Sequence, residues 1–194
     1  MIRVSDDIRK MAIEPLRHIP GASRRALVNA LNRAVTAAVG EAERRIGEEY
    51  GADMVDAYYD SIQITKAHKE RLIANIRSRR GATKLDEFPH SPTKPGTGGR
   101  GKPPMTATVR KSGGPSNIPG AFIIPTEPGG NIGIMVWRSQ SAGGGLRRVP
   151  ALAVPFMQTS ESVYEFVERR AGEVLEERVA HEVANELASV GRRR

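Results

Sequence analysis

Apolar residues recur every three or four positions in two long stretches, one near each end of the chain. The first stretch has them at Leu27, Leu31, Val35, Ala38, Ala42 and Ile46. This spacing predicts a helix of about 28 residues that ends near Gly51. The second stretch has them at Val163, Phe166, Val167, Val174, Val183 and Leu187, which predicts a C-terminal helix capped by Thr159 or Ser160. A shorter helix is predicted after Ser5.

The middle of the chain has the alternating pattern of short strands. From Asn117 to Arg138, two apolar runs, Ala121–Ile124 and Ile132–Trp137, are separated by a Pro/Gly turn, which predicts a β-hairpin. Further strands are predicted within 61–80 and over Met105–Lys111. A glycine loop, "SAGGGLRR", then leads to a short extended segment, "VPALAVPFM". The predicted class is α+β: a long N-terminal helix, a small antiparallel sheet with a central hairpin, and a long C-terminal helix.

The length of 194 residues predicts a single domain over 1–194. We expect residues 1–20 to form a helical extension of this domain. Residues 89–104 are rich in Pro, Gly and basic residues, which predicts a flexible loop. Residues 191–194, "GRRR", read as a basic tail.

Cysteine is absent from the chain, which excludes disulfides, thiolate metal ligands and cysteine nucleophiles. No apolar run approaches the roughly 18–20 residues of a membrane span, and the start, "MIRVSDDIRK", has no apolar run of a secretory signal. We therefore expect no membrane association and assembly in the cytoplasm.

The net charge of +8 is unevenly distributed. Residues 66–111 carry twelve Lys or Arg and three Asp or Glu, whereas residues 159–190 carry eight Glu and three Arg. Such a division suggests a polyanionic partner or contact between copies of the chain, although these side chains could also simply solvate a Gly/Pro-rich loop. The candidate DNA-facing or partner-facing basic residues are Arg77, Arg79, Arg80, Lys84, Arg100, Lys102, Arg110 and Lys111.

No pattern indicates catalysis, and we expect no catalytic, cofactor-binding or metal-binding residues. The four histidines lack the spacing of a metal site, and the carboxylates lie beside arginines on predicted helices. The glycine-rich "GTGGRGK" is followed by Pro103 and Pro104, which cannot open the helix that a phosphate-binding loop requires. The sequence predicts a protein that is not an enzyme.

Several segments, in order, resemble the prophage minor tail protein Z family, the tail completion proteins of lambda-like long-tailed phages. The resemblance rests on "ALNR" at 30–33, the Leu85 to Phe88 element, "TATVRKSG", "IPGAFI" at 118–123 and "RRVPALAVPFM". It covers about residues 20–185. The tract 89–104 is richer in Pro and Gly than the family pattern.

The resemblance implies a structural virion protein at the head-proximal end of a phage tail. Its implied partners are copies of itself in a sixfold ring, the tail terminator and tail tube proteins, and the head–tail connector, with duplex DNA in the channel. Candidate subunit-interface residues are Leu27, Leu31, Val35, Phe122, Trp137, Glu173, Glu176 and Glu177. The alternative is a non-specific DNA-binding or packaging-associated protein that uses residues 77–111, whose phosphate contacts would be salt-dependent.

Overall fold

The computed structural model describes residues 2–3, 5–51, 53–79, 81–95, 103–126, 132–138 and 144–191. The helices are α1 (Asp6–Leu16), α2 (Ala22–Tyr50), α3 (Asp53–Ser61), α4 (Val154–Gln158) and α5 (Glu161–Gly191). The strands are β1 (Ile2–Arg3), β2 (Ile62–Thr65), β3 (Ile73–Ser78), β4 (Ala82–Lys84), β5 (His90–Ser91), β6 (Met105–Ala107), β7 (Ser116–Ile118), β8 (Phe122–Pro125), β9 (Ile132–Arg138), β10 (Gly145–Arg148) and β11 (Pro150–Ala153). The predicted α+β class, with two long helices and small antiparallel sheets, is confirmed.

The helix boundaries follow the predicted capping residues. Ser5 Oγ accepts a hydrogen bond from the backbone N–H of Ile8 (3.3 Å) at the start of α1. α2 ends at Gly51, whose φ of 117° is readily adopted only by glycine and whose N–H donates to Gly47 O (3.2 Å). At the start of α5, Ser160 O accepts from Tyr164 N–H (2.8 Å).

Contacts divide the chain into two compact units. The first comprises Met1–Arg45, Ile62–Arg79 and Gln158–Arg194, and the second comprises Ile46–Ser61 and Arg80–Met157. Division by contacts does not test whether either part folds alone, so the single domain over 1–194 stays a prediction.

In the first unit, α2 buries an alanine on every fourth residue: Ala22, Ala26, Ala30, Ala34, Ala38 and Ala42. Such small side chains on one ridge let neighbouring elements approach closely. α1 packs against α5, and its Ala12 and Leu16 belong to the core, so the segment predicted as an N-terminal extension contributes to the core. The strands form one antiparallel sheet in the order β1–β3–β2.

Contacts at both ends fix α2 and α5 in an antiparallel arrangement. Near the start of α2, the Arg25 guanidinium donates to both carboxylate oxygens of Glu186 (2.9 and 2.5 Å), near the end of α5. Near the end of α2, the Arg45 guanidinium lies 3.2 Å from the ring centroid of Phe166 in α5. The Glu186 hydrogen bonds raise the pKa of Arg25.

Asn32 connects α2 to the loop between β2 and β3. Its Nδ2 donates to Ala67 O (3.2 Å), and Ala67 N–H donates to Asn32 Oδ1 (2.8 Å). Arg24 also donates to Lys69 O (3.1 Å) in the same loop. The "ALNR" motif thus contains a side chain that satisfies two backbone groups of another element.

The second unit contains three small antiparallel sheets, in the orders β10–β9–β8, β5–β6–β7 and β11–β4. The predicted hairpin is confirmed, with Phe122 opposite Met135 and Ile123 opposite Ile134; its turn, residues 127–131, lies outside the described residues. The core of this unit is formed by Leu85, Met105, Ala107, Ala121, Ile123 and Ile134.

Three local predictions are wrong. The strand predicted over Met105–Lys111 ends at Ala107, and Lys111–Gly113 is a 3₁₀ turn. Part of the predicted glycine loop is strand β10, because it pairs with β9. The end of the predicted extended segment is α4, where Pro155 lies in the first turn, a position that tolerates proline.

Three further predictions concern the loop 89–104, the basic tail and Leu187. Of the loop 89–104, His90–Ser91 form β5 and residues 96–102 lie outside the described residues. Of the basic tail, residues 192–194 also lie outside them. Leu187, predicted on the apolar face of the C-terminal helix, is 44% exposed.

Candidate interaction surface

One face of the β10–β9–β8 sheet presents apolar side chains to solvent. We call it the Trp137 face; it consists of Phe122, Ile124, Met135, Trp137 and Leu146. Residues directly opposite each other share a face of a sheet, and Trp137 pairs with Leu146 while Phe122 pairs with Met135. Trp137 is 70% exposed and Leu146 is 37% exposed. Large aromatic side chains are mostly buried in soluble proteins, so the exposure of Trp137 makes this face a candidate contact surface.

The opposite face of the same sheet is the core of the second unit. Ile123 and Ile134 are fully buried there, and Ile132 and Val136 pack against the same cluster. Strict alternation along β9 therefore directs Ile134 inward and Met135 and Trp137 outward. One face of the hairpin packs in the core of the second unit, and the other face is accessible to solvent.

A charged side chain, Arg148, also lies on the Trp137 face, where it is paired with Asp86. Arg148 lies opposite Met135 in β10, and its Nε donates to Asp86 Oδ1 (2.8 Å) while a terminal nitrogen contacts the other carboxylate oxygen. The same nitrogen donates to Ile132 O (3.1 Å). Burial alone would raise the pKa of Asp86, but the hydrogen bonds from Arg148 and from backbone N–H groups outweigh it and lower the pKa below its ordinary value.

Gly133 allows the neighbouring segment to approach the sheet closely. A Cβ at this position would lie 2.6 Å from Thr126 Cγ2 and 3.6 Å from Arg148 Nε. A larger residue would therefore displace Thr126, which follows β8 in the chain.

Two of the predicted basic residues lie at the C-terminal end of α2. Lys111 Nζ donates to Gly47 O (2.9 Å), and Arg110 Nε lies 3.4 Å from Glu49 Oε1. The Arg110 guanidinium is also 5.7 Å from the ring centroid of Tyr50. Positive charge there complements the exposed carbonyls and the negative end of the helix dipole. Both cations thus have an intramolecular role that the sequence did not indicate.

The remaining basic candidates are distributed between the two units. Arg77 and Arg79 are exposed in the first unit, and Lys84 is exposed in the second. Arg80, Arg100 and Lys102 lie outside the described residues. Whether any of them contacts DNA or protein stays a prediction.

The structure corrects three of the predicted interface residues. Leu27, Leu31 and Val35 are at most 2% exposed and form part of the core of the first unit. They cannot contact another subunit while this core is intact. The prediction was wrong because a helical periodicity of apolar residues indicates a buried face of α2 but does not show whether the same chain or another subunit buries it.

The other interface candidates remain accessible. Trp137 is exposed and Phe122 is half-buried on the Trp137 face. Glu173, Glu176 and Glu177 are exposed on α5. Glu173 lies near Arg169 (3.9 Å) and Arg170 (3.4 Å) on its own helix.

Neither a metal site nor a membrane-spanning helix is found among the residues that the structure describes. Among the described residues, no three His, Asp or Glu side chains are grouped so as to hold a metal ion. None of the described helices has the length and apolarity needed to cross a membrane.

Comparison with other proteins does not assign a family. The chain matches no protein-family model. Searches of curated proteins and of solved structures also return no match.

Proposed function

We propose that the chain is a structural virion protein, a tail completion subunit at the head-proximal end of a phage tail. It assembles with copies of itself as a ring around the DNA channel and joins the tail to the head. The proposal combines the resemblance to the minor tail protein Z family with one structural observation, the Trp137 face.

The Trp137 face supports a function based on protein contacts. Tryptophan is enriched at the energetic centres of protein interfaces, because its large ring gains stabilisation when it leaves water. Burial of apolar surface contributes about 25 cal/mol per Å². A partner that covers the Trp137 face would therefore gain binding free energy from its apolar side chains. The apolar core on the other side of the sheet holds these side chains in place before a partner binds.

The alternative, non-specific DNA binding through residues 77–111, is less well supported. Two of its cations, Arg110 and Lys111, already contact the end of α2. Their intramolecular contacts leave fewer charges of this segment for phosphates. The experiment below therefore also measures binding to duplex DNA.

Purified protein mixed with tail tubes from the same source tests the proposal. We expect labelled protein at one end of each tube in electron micrographs, at physiological salt, and tubes completed in this way should join to heads. The matched control is Trp137→Ala, which removes the most exposed aromatic side chain without touching either core.

Failure of the wild-type protein to bind tubes would contradict the proposal. If the same protein bound duplex DNA with an affinity that falls steeply with salt, the DNA-binding alternative would replace it.

A further inference from the structure

The hairpin formed by β2 and β3 in the first unit is rich in exposed cations. We call residues 62–78 the basic hairpin. It carries one acid, Glu70, and four exposed cations: Lys66, Lys69, Arg71 and Arg77. Among the residues that the structure describes, none of the ion pairs involves these four side chains. Their charges are therefore available to a partner, unlike those of the cations at the end of α2.

The tip of the basic hairpin is a tight turn that is fixed to α2. His68 N–H donates to Arg71 O (3.1 Å) and Arg71 N–H donates to His68 O (2.9 Å), which leaves two residues at the very end of the turn. Just before it, Ala67 belongs to the core of the first unit, and the Asn32 side chain bonds both of its backbone groups. The cations of the tip are thus held in place before a ligand binds, so less conformational entropy is lost on binding.

The outer face of the sheet continues this polar surface. Arg77 lies opposite Gln63, and Asn75 lies opposite Thr65. Since residues directly opposite each other share a face of a sheet, these four side chains form one polar face. The alternate residues of β3 contribute to the core instead. The one acid of the hairpin, Glu70, contacts His68 of its own turn (2.9 Å).

This chemistry favours a phosphate backbone over a protein as the occupant. Protein interfaces usually have an apolar centre, whereas no large apolar side chain of residues 65–79 is exposed. The exposed Ile64 lies opposite Ile76 and is therefore on the other face of the sheet. Interfaces with DNA are more polar and much more positively charged than those between proteins.

The same residues favour duplex DNA over single strands. Residues 62–79 contain no Phe, Tyr or Trp on which unpaired bases could stack. At about 3.3 Å per residue, the hairpin spans about 20 Å from Arg77 to its tip. One helical turn of B-DNA is about 34 Å long, so the four cations fit within one turn of a duplex backbone.

We propose that the basic hairpin binds the phosphate backbone of duplex DNA through its four exposed cations, without reading the base sequence. This inference rests on the proposed function for the source of the DNA, the duplex in the channel, and adds the surface that contacts it. It also divides the basic part of the chain by role, because Arg110 and Lys111 stabilise α2 whereas the basic hairpin contacts phosphates.

The anisotropy of a short labelled duplex of mixed sequence, titrated with the full-length protein at several salt concentrations, tests the inference. Four phosphate contacts predict a slope of about −3.6 for log K against log salt, which is a loss of about 150-fold in affinity between 50 and 200 mM salt. The combined variant Lys66→Ala, Lys69→Ala and Arg71→Ala should bind about 10-fold or more weakly at 50 mM salt. It should also lose only about 3- to 4-fold in affinity over that salt range.

The matched control removes the same charge outside the hairpin. Lys10→Ala, Lys84→Ala and Arg147→Ala combined replace three exposed cations and should keep the wild-type salt slope. Thermal unfolding of both combined variants should match that of the wild type, since all six replaced side chains are exposed.

Three results would overturn the inference. The first is wild-type protein that does not bind the duplex or binds it without salt dependence. The second is an equal loss of affinity in the hairpin variant and its control. The third is a hairpin variant that keeps its affinity for DNA and loses self-association, which would assign the basic hairpin to a protein contact.

The proposed function and this inference fail separately. A hairpin variant that still attaches to tail tubes but has lost its affinity for DNA would support both. Wild-type protein that binds tubes but not the duplex would refute only the inference. If wild-type protein fails to bind tubes, and only the hairpin variant loses affinity for DNA, the proposed function alone fails.

Discussion

Asp86 and Arg148 are held together by two side-chain contacts, and Arg148 also donates to the backbone of β9. The Asp86 side chain is 9% exposed, whereas that of Arg148 is 32% exposed. Removing one partner of such a pair leaves the other charge poorly solvated, which costs more than the pair itself contributes. The pair connects the 3₁₀ turn at Leu85–Glu87 to the sheet that carries the Trp137 face.

Replacement of Asp86 by asparagine should therefore destabilise the protein by about 2 kcal/mol at neutral pH. The pKa of Asp86 is lowered in the folded state, so its contribution is present above the unfolded-state pKa and is lost as the pH falls through the folded-state pKa. Urea unfolding of wild type and Asp86→Asn should show a difference that shrinks in acid. A difference that stays constant with pH would contradict this account.

Asn32 offers a second prediction for a single residue. Asn32→Ala removes two hydrogen bonds to the backbone of Ala67, and we expect a loss of about 1–3 kcal/mol of unfolding free energy. The matched control is Asn29→Ala, one turn earlier in α2, where an exposed side chain donates to Glu182 (3.0 Å). Chemical denaturation should show a change within about 0.5 kcal/mol for the control. Equal losses for both variants would contradict the special role of Asn32.

Among the elements, α2 shows how a long helix is stopped and stabilised at its C-terminus. Gly51 supplies the backbone conformation, and Arg110 and Lys111 supply positive charge from a distant part of the chain. The sequence of α2 does not indicate that cations from elsewhere stabilise its end, because the last turn of the helix itself contains no basic residue.

Arg110→Ala and Lys111→Ala should each lower the unfolding free energy by about 0.3–1 kcal/mol, the usual range for a charge at a helix end. Arg77→Ala and Arg79→Ala, at exposed positions of the same basic segment, should leave thermal unfolding nearly unchanged. High salt should reduce the effect of the first two variants. If all four variants behave alike, the cations at α2 have no special structural role.

The elements that could be predicted from sequence are those whose signal is local. The four-residue recurrence of α2, the Ser5 cap and the two apolar runs of the hairpin each lie within a short stretch, and all three are confirmed. Strand β10 could not be predicted, because a glycine-rich segment becomes a strand only by pairing with β9.

The candidate site was less predictable for the same reason. The sequence places Trp137 in the predicted hairpin, but its exposure depends on which face of the sheet the core covers. Asp86 and Arg148 are 62 residues apart and have no shared pattern.

At the scale of the whole molecule, the proposed assembly predicts a role for the acidic surface of α5. Reversing Glu173, Glu176 and Glu177 to lysine should block incorporation into tails if the acidic surface of α5 faces a basic neighbour, because like charges would then repel. The fold should survive, since none of the three is buried.

Neutral glutamine at the same three positions is the matched control and should give partial incorporation. Incorporation is measured as the fraction of complete tails, and folding by circular dichroism. Normal tails from the lysine variant would remove α5 from the interface.

The pairing of α1 with α5 has a consequence for synthesis on the ribosome. The first helix packs against the last, so the core of the first unit cannot close until α5 has been translated. At roughly 5–20 residues per second, the apolar face of α1 waits on the order of ten seconds or more for its partner. During that interval Ala12 and Leu16 of α1 lack the packing that they have in the folded core, so we expect the nascent chain to bind chaperones that recognise emerging apolar segments.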